Sequence, residues 1–172
     1  MNLLFRLKNE ITRLTAVKAL IRIASSELKI NLRRYLNSYR MISDAIDIFD
    51  AAIINLELSF QVVVDPSINK NLLLQEIIVD LRNQFNIGNF HIGQPIIISD
   101  VLSTIFAKSG VISVDSVRFN NLYGTVKNLE YSPIAYDVRL NTKNQIVYPP
   151  EGAIFEIRYP DINIIGKAVS NA

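Results

Sequence analysis

Apolar and polar residues alternate with a period of two between residues 54 and 64. The polar positions are Asn55, Glu57, Ser59 and Gln61. The apolar positions are Ile54, Leu56, Leu58, Phe60, Val62 and Val64. This period is typical of a half-buried strand, and Asp65-Pro66 is a turn pair that ends it. The pattern predicts a strand with one apolar face and one polar face.

The next four segments are predicted to be helical, extended, helical and extended in turn. Apolar residues at helical spacing predict a helix over residues 69–85, followed by an extended piece over residues 90–98 that Pro95 interrupts. A short helix over residues 99–107 and a β-branched segment over residues 111–119 come next. The order strand, helix, strand, helix, strand predicts an α+β fold built on a ferredoxin-like βαβαβ-type unit.

The remaining chain predicts a C-terminal set of short antiparallel strands. Turn residues occur at Tyr123-Gly124 and over residues 148–152. Between and after them we expect strands near residues 137–140, 146–148 and 153–159.

Residues 2–23 are predicted to form an N-terminal amphipathic helix. Its apolar stripe includes Leu4, Leu7, Ile11 and Leu14. Lys18 interrupts a strict heptad, so the stripe is too short for a confident coiled coil. Three interpretations stay open: packing on the chain's own domain, docking into a helical bundle with other chains, or lying on a membrane surface. The scattered basic residues and the lack of Trp place the membrane interpretation last.

A second amphipathic helix is predicted over residues 28–39, with Ser25 or Ser26 as its N-cap. Tyr35 and Tyr39 lie on its apolar face, close to Arg40. Tyr and Arg beside each other occur in nucleic-acid sites and are also enriched at protein interfaces. We favour the interface interpretation and take Tyr35, Tyr39 and Arg40 as candidate subunit contacts.

The net charge differs between the predicted N-terminal helices and the rest of the chain. Residues 1–40 carry nine Lys or Arg against two acidic residues, a net charge of +7, whereas the remainder has nine basic and fourteen acidic residues, a net charge of −5. The sequence therefore predicts a helical arm over residues 1–48 and an α+β interface domain over residues 49–172. Charge sign alone does not select nucleic acid, membrane or an acidic protein as the partner of the arm.

Composition narrows the class of protein. With 172 residues, 49% hydrophobic and 20% charged, the chain has the composition of one folded globular domain. It has no Cys, which excludes disulfides and thiolate sites. No apolar run approaches the ~20 residues of a membrane-spanning helix, so we expect a soluble, unexported protein.

Candidate catalytic chemistry is sparse. His91 is the only histidine, and Ser99 and Asp100 are near it only in sequence, which does not make a catalytic triad. The spacing of Gly88 and Gly93 matches a phosphate-binding loop, but Gln94-Pro95 follow where Lys and Ser or Thr are required. The aspartates at 44, 47 and 50 lack the alternate spacing, central Gly and closing Glu of a calcium loop. We therefore expect no enzyme, no cofactor and no metal site.

Several tracts in order along the chain carry a resemblance to a known family. The first is Asn31-Leu32-Arg33-Arg34-Tyr35-Leu36-Asn37-Ser38-Tyr39-Arg40, continuing to Ile48. The later tracts are residues 91–96 with Ser99-Asp100, residues 109–114, Val147-Tyr148-Pro149 and residues 155–162. Together they resemble the C-terminal region of the large baseplate wedge subunit of T-even-type contractile-tailed bacteriophages, with order and approximate spacing that agree across residues 31–166. The family subunit is several times longer, so the resemblance implies that this chain corresponds to its terminal module.

The resemblance implies a virion structural protein of the tail baseplate, assembled in the host cytoplasm and without catalysis. Its expected partners are a second copy of itself and other wedge proteins, with no small-molecule substrate, no nucleic acid and no membrane insertion. In that family the helical portion joins a bundle, so Leu4, Leu7, Ile11 and Leu14 would be helix-bundle contacts. Tyr35, Tyr39 and Arg40 would contact a neighbouring subunit.

Two other classes compete with this interpretation. A small ferredoxin-like ligand-binding or regulatory dimer is the main alternative, with residues 88–95 lining its pocket. RNA binding through the basic arm comes third, because no aromatic sheet motif is present. An enzyme comes last.

Overall fold

The computed structural model describes residues 26–39, 48 and 50–170. The predicted contacts outside these residues are Leu4, Leu7, Ile11, Leu14 and Arg40. The chain divides into two compact units, Met1–Ala52 and Ile53–Ala172.

The first unit contains helix α1, which spans Ser26–Asn37 where the apolar spacing predicts a helix over residues 28–39. Glu27 lies in its first turn and Arg34 in its last turn. These charges are favourable because the helix dipole is positive at the N-terminus and negative at the C-terminus. Tyr39 lies in the turn that follows the helix.

The second unit contains three helices, a 3₁₀ turn and nine short or long strands within the described residues. In chain order they are β1 (Ala52–Val64), α2 (Lys70–Gln84), a 3₁₀ turn (Ile87–Asn89), β2 (Ile96–Ile97), α3 (Ile98–Phe106), β3 (Val111–Leu122), β4 (Thr125–Val126), β5 (Leu129–Glu130), β6 (Thr142–Lys143), β7 (Ile146–Val147), β8 (Ala153–Glu156), α4 (Pro160–Asn163) and β9 (Ile164–Ser170).

The main sheet of the described residues has four strands and is organised around β1. β3 pairs antiparallel with residues 55–64 of β1, and two register shifts interrupt this pairing. β9 pairs parallel with residues 58–64 of β1, without a register shift. β8 also pairs with β1. The long central strand therefore fixes the position of every other strand in the sheet.

The core lies on the face of the sheet that α2 and α3 cover. Each of the six apolar side chains predicted for one face of β1 is at most 3% exposed, which confirms that prediction. Leu73, Ile77 and Leu81 of α2 and Val101 and Ile105 of α3 are also buried. α2 packs against β9, and α3 packs against β3. The spacing of three and four along α2 therefore directs one apolar stripe into the core.

Two small sheets complete the second unit. β2, β7 and β6 form one, and β4 pairs with β5 in the other. Positive φ angles at Lys127 and Asn128 form the tight turn between β4 and β5, and Asn144 and Gln145 do the same between β6 and β7. Two-residue hairpin turns with positive φ match the twist of the strands that they join.

The prediction of a strand over residues 137–140 is wrong, because these residues form a turn. A side-chain oxygen of Asp137 accepts a hydrogen bond from the N–H of Leu140 at 3.1 Å, and the Thr142 hydroxyl donates to the Val138 carbonyl at 2.6 Å. Asp commonly forms such local bonds, which compete with strand pairing. The chain reaches extended geometry only at β6.

The α+β class is confirmed. Residues 90–98 contain a single strand, β2, which pairs with β7 and lies outside the main sheet. The ferredoxin-like arrangement stays a prediction. Within the described residues, no helix has the length and apolar character required to cross a membrane.

Candidate interaction surfaces

The first candidate surface is the tyrosine pair at the end of α1. The rings of Tyr35 and Tyr39 are 5.0 Å apart between centroids and tilted by 51°. A hydrogen bond between the two side chains raises the pKa of Tyr35 above its ordinary value. Tyr35 is 38% exposed and Tyr39 is 73% exposed. The structure therefore brings together two of the three predicted subunit contacts, and it leaves most of Tyr39 and about two fifths of Tyr35 accessible.

Leu28 is 50% exposed and extends this surface, because residues seven apart lie on the same face of a helix. Ile30 is 52% exposed, but it lies on a different face of α1, because residues two apart do not share a helix face. An ion pair joins Lys29 to Asp50, so a charged contact holds the helix to the segment before β1. The exposed surface of α1 combines aliphatic and aromatic groups, which is the composition of a protein contact surface.

The second candidate surface is the face of the main sheet opposite α2 and α3. Gln61 donates a hydrogen bond to Asp115 at 3.1 Å, and Asn120 makes a longer contact with Glu57 at 3.5 Å. Lys167 lies directly beside Gln61 on β9. This face therefore alternates amide, acidic and basic groups. An RNA-binding sheet would instead stack bases on aromatic residues at such positions.

One residue of the predicted polar face is not exposed. Asn55 is fully buried, with 0% exposure. Its side-chain amide donates to Glu156 at 3.1 Å, and its side-chain oxygen accepts from the backbone N–H of Ser132 at 2.7 Å. The alternation along β1 does not reveal this burial, because the segment that covers Asn55 is about 77 residues away in sequence.

Asn121 on β3 acts in the same way as Asn55. Its side-chain amide donates to the Asn55 carbonyl at 2.9 Å, and its side-chain oxygen accepts from the backbone N–H of Tyr136 at 2.8 Å. Asn55 and Asn121, here called the asparagine clamp, therefore attach residues 132–136 to the end of the main sheet. An amide side chain is suited to this task because it donates and accepts at the same time.

The asparagine clamp positions the third candidate surface, a shallow groove of about 490 Å³ beside the end of β3. Tyr123, Tyr136 and Arg139 are among the residues that line it. Burial raises the pKa of Tyr136, with a smaller contribution from Asp137. The Tyr136 hydroxyl donates to the Tyr148 carbonyl, which fixes the ring in one orientation. The groove presents aromatic and arginine side chains, the types that dominate binding energy at protein interfaces.

A smaller cavity of about 150 Å³ lies between the end of α2 and the start of α3. Phe85, Phe90, Gln94 and Asp100 are among its lining residues. It overlaps residues 88–95, which the ligand-binding alternative places at a pocket. Its volume is below the roughly 300–1,000 Å³ of usual small-molecule sites, so it has room only for a small ligand.

The residues considered for chemistry are in separate places. His91 is exposed, and its backbone N–H donates to Gln94 at 3.1 Å. Among the described residues, no hydrogen bond joins its ring to Ser99 or Asp100. Glu156 is buried beside Asn55, whose side-chain amide donates to it. In the described part of the chain, no group of three His, Cys, Asp or Glu has the arrangement of a metal site.

The comparisons with known proteins add no assignment. No protein-family model matches the chain. No curated protein sequence gives a significant match.

Proposed function

We propose that this chain is a structural, non-enzymatic component of a phage tail baseplate wedge, which binds a second copy of itself and other wedge proteins. The observation that supports it best is the exposed Tyr35–Tyr39 pair, because it lies within the first tract that resembles the wedge subunit. Exposed aromatic residues held in one geometry lose little conformational freedom when they bind a partner.

The proposal assigns roles to the two parts of the chain. The N-terminal stripe of Leu4, Leu7, Ile11 and Leu14 supplies the helix-bundle contacts, while Tyr35, Tyr39 and Arg40 contact a neighbouring subunit. The α+β unit supplies a platform on which the asparagine clamp attaches residues 132–136 to the main sheet. Interfaces of standard size bury about 1,600 Å² in total, and a few anchor residues supply most of their binding energy.

The test of the subunit contact is assembly with purified wedge proteins from the same virion. We expect Tyr39→Ala combined with Arg40→Glu to weaken the complex by at least about tenfold, because truncation of an interface anchor usually costs 2 kcal/mol or more. Tyr39→Phe is the matched control, since it keeps the ring and removes only the hydroxyl. Unchanged assembly by the double variant, measured by sedimentation velocity, would refute this assignment.

The cavity beside α3 favours a second candidate, a ferredoxin-like ligand-binding or regulatory dimer. The lining residues Asn89, Phe90, Gln94 and Pro95 lie in the segment expected for its pocket. A ligand that binds only the native state raises the melting temperature as its concentration rises. A thermal-shift screen of small metabolites therefore tests this candidate, and a saturable shift that Gln94→Ala removes would favour it over the structural role.

A further inference from the structure

Within the part of the chain that the structure describes, no strand pairs with the outer edge of β9. Within the described residues, β9 pairs with β1 alone, along seven residues and without a register shift. A regular edge of this kind exposes backbone N–H and C=O groups that another strand can bind. The opposite edge strand, β3, differs because two register shifts interrupt its pairing with β1. Bulges of that kind twist an edge and hinder strand addition.

The exposed side chains of β9 give this edge a recognisable pattern. Ile165 is 42% exposed and Val169 is 37% exposed, and the exposed Lys167 lies between them. All three lie on the same face of the strand, because side chains alternate with a period of two. Gly166 lies on the other face, where a Cβ atom would come within 2.6 Å of Leu74 in α2. The accessible pattern is therefore apolar, cationic, apolar.

The charge of Lys167 has no partner in the described part of the chain. None of the ion pairs there includes this residue. Its neighbour on β1 is Gln61, whose amide is already hydrogen-bonded to Asp115. A strand added to the outer edge would place one side chain directly opposite Lys167. An acidic residue at that position would form a favourable cross-strand pair.

The same geometry disfavours a second copy of β9 as the added strand. Lys167 is the middle residue of the seven in β9, so full antiparallel self-pairing would place the two Lys167 side chains opposite each other. Like charges in that position are destabilising. A shift of two residues shortens the overlap to about five residues and sets each lysine opposite Ile165 or Val169. The occupant that fits this edge is therefore a different sequence.

We propose that the outer edge of β9 binds an extended segment of another protein by antiparallel strand addition. That segment carries Asp or Glu at its centre, with an apolar residue two positions before it and another two positions after it. The acidic residue pairs with Lys167, and the apolar residues pack on Ile165 and Val169. This inference goes beyond the baseplate proposal, because it rests only on the edge and its side chains.

The experiment measures binding of the full chain to an end-blocked, fluorescein-labelled peptide of sequence TVTETVT by fluorescence anisotropy. We expect saturable binding, with backbone NMR shifts at residues 164–170. We also expect Lys167→Glu to raise the Kd by roughly fivefold or more, because a favourable pair becomes a repulsive one. The peptide TVTKTVT should bind the Lys167→Glu variant more tightly than the native chain. Lys143→Glu is the matched control, since it changes the net charge equally at an exposed strand position away from β9.

Three outcomes would overturn the proposal. The first is no binding of TVTETVT by a native chain whose far-UV circular dichroism shows that it is folded. The second is an equal loss of affinity in Lys143→Glu, which would indicate general charge attraction. The third is concentration-dependent dimerisation that blocks the peptide and maps to residues 164–170, which would identify a second copy as the occupant. None of these outcomes bears on whether the chain is a baseplate component.

Discussion

Asn55 offers the sharpest test of how the second unit is held together. Asn55→Ala removes the hydrogen bond to Glu156 at 3.1 Å and the one from the Ser132 N–H at 2.7 Å. Both are made by a side chain with 0% exposure. A typical hydrogen bond contributes about 0.5–1.5 kcal/mol, and a buried group left without its partner costs about 1–3 kcal/mol. We therefore expect a loss of about 2–4 kcal/mol in the free energy of unfolding.

Urea unfolding measures this loss directly. The chain has no Trp, so far-UV circular dichroism and tyrosine fluorescence are the suitable signals. With an m-value of about 2 kcal/mol/M, the expected loss lowers the transition midpoint by about 1–2 M. Coincidence of the two signals checks that the transition is two-state, which the calculation requires.

The matched control is Asn120→Ala, because Asn120 is an exposed asparagine on the neighbouring strand. Its side chain makes only a contact of 3.5 Å with Glu57. We expect this substitution to change the stability by less than about 0.5 kcal/mol, as for most surface positions. If Asn55→Ala were no more destabilising than Asn120→Ala, the asparagine clamp would not be a stabilising feature of the molecule.

Two further predictions concern packing and pH. Gly166→Ala should lower the free energy of unfolding by about 1–3 kcal/mol through overpacking, because the added Cβ would lie 2.5 Å from the Phe60 ring. Gly88→Ala is the control, since a Cβ there meets no such contact. Thermal unfolding should give a lower melting temperature for Gly166→Ala, and equal melting temperatures of the two variants would contradict the prediction. Hydrogen bonds from the hydroxyl and N–H of Ser67 lower the pKa of Asp65, so its contribution to stability is present above the ordinary Asp pKa and is lost as the pH falls through the lowered value. Asp65→Asn should therefore reduce the fall of the urea midpoint that accompanies a fall in pH. An unchanged pH dependence would contradict a stabilising role for the Ser67 hydrogen bonds.

The sequence predicts the elements whose residues carry a local period. β1, α2, α3 and β3 were expected within a few residues of their observed bounds, because alternation and helical spacing reflect burial against one dominant core. The strand predicted over residues 137–140 is wrong, since a local hydrogen bond of Asp137 favours a turn. β9 was not predicted, because Gly166 weakens the strand pattern and its parallel partner lies about 106 residues earlier in the chain.

The sequence likewise predicts only those candidate surfaces that lie within one element. Tyr35 and Tyr39 were identified from helical spacing, since residues four apart share one face of a helix. The asparagine clamp was missed, because its partners are backbone N–H groups of a remote segment and such groups have no sequence signature. The edge of β9 that carries Lys167 was not predicted, because the strand itself was not predicted. Single-residue periodicity therefore identifies local surfaces better than surfaces formed by distant segments.

The most direct test of the central claim is the association of this chain with phage particles. Density-gradient fractions of the native source would be analysed by quantitative peptide mass spectrometry for this chain and for tail proteins. The baseplate proposal predicts that the chain sediments with intact particles in a constant ratio to tail proteins across the particle peak. Recovery only in the particle-free fraction would contradict the structural role and favour the ligand-binding module.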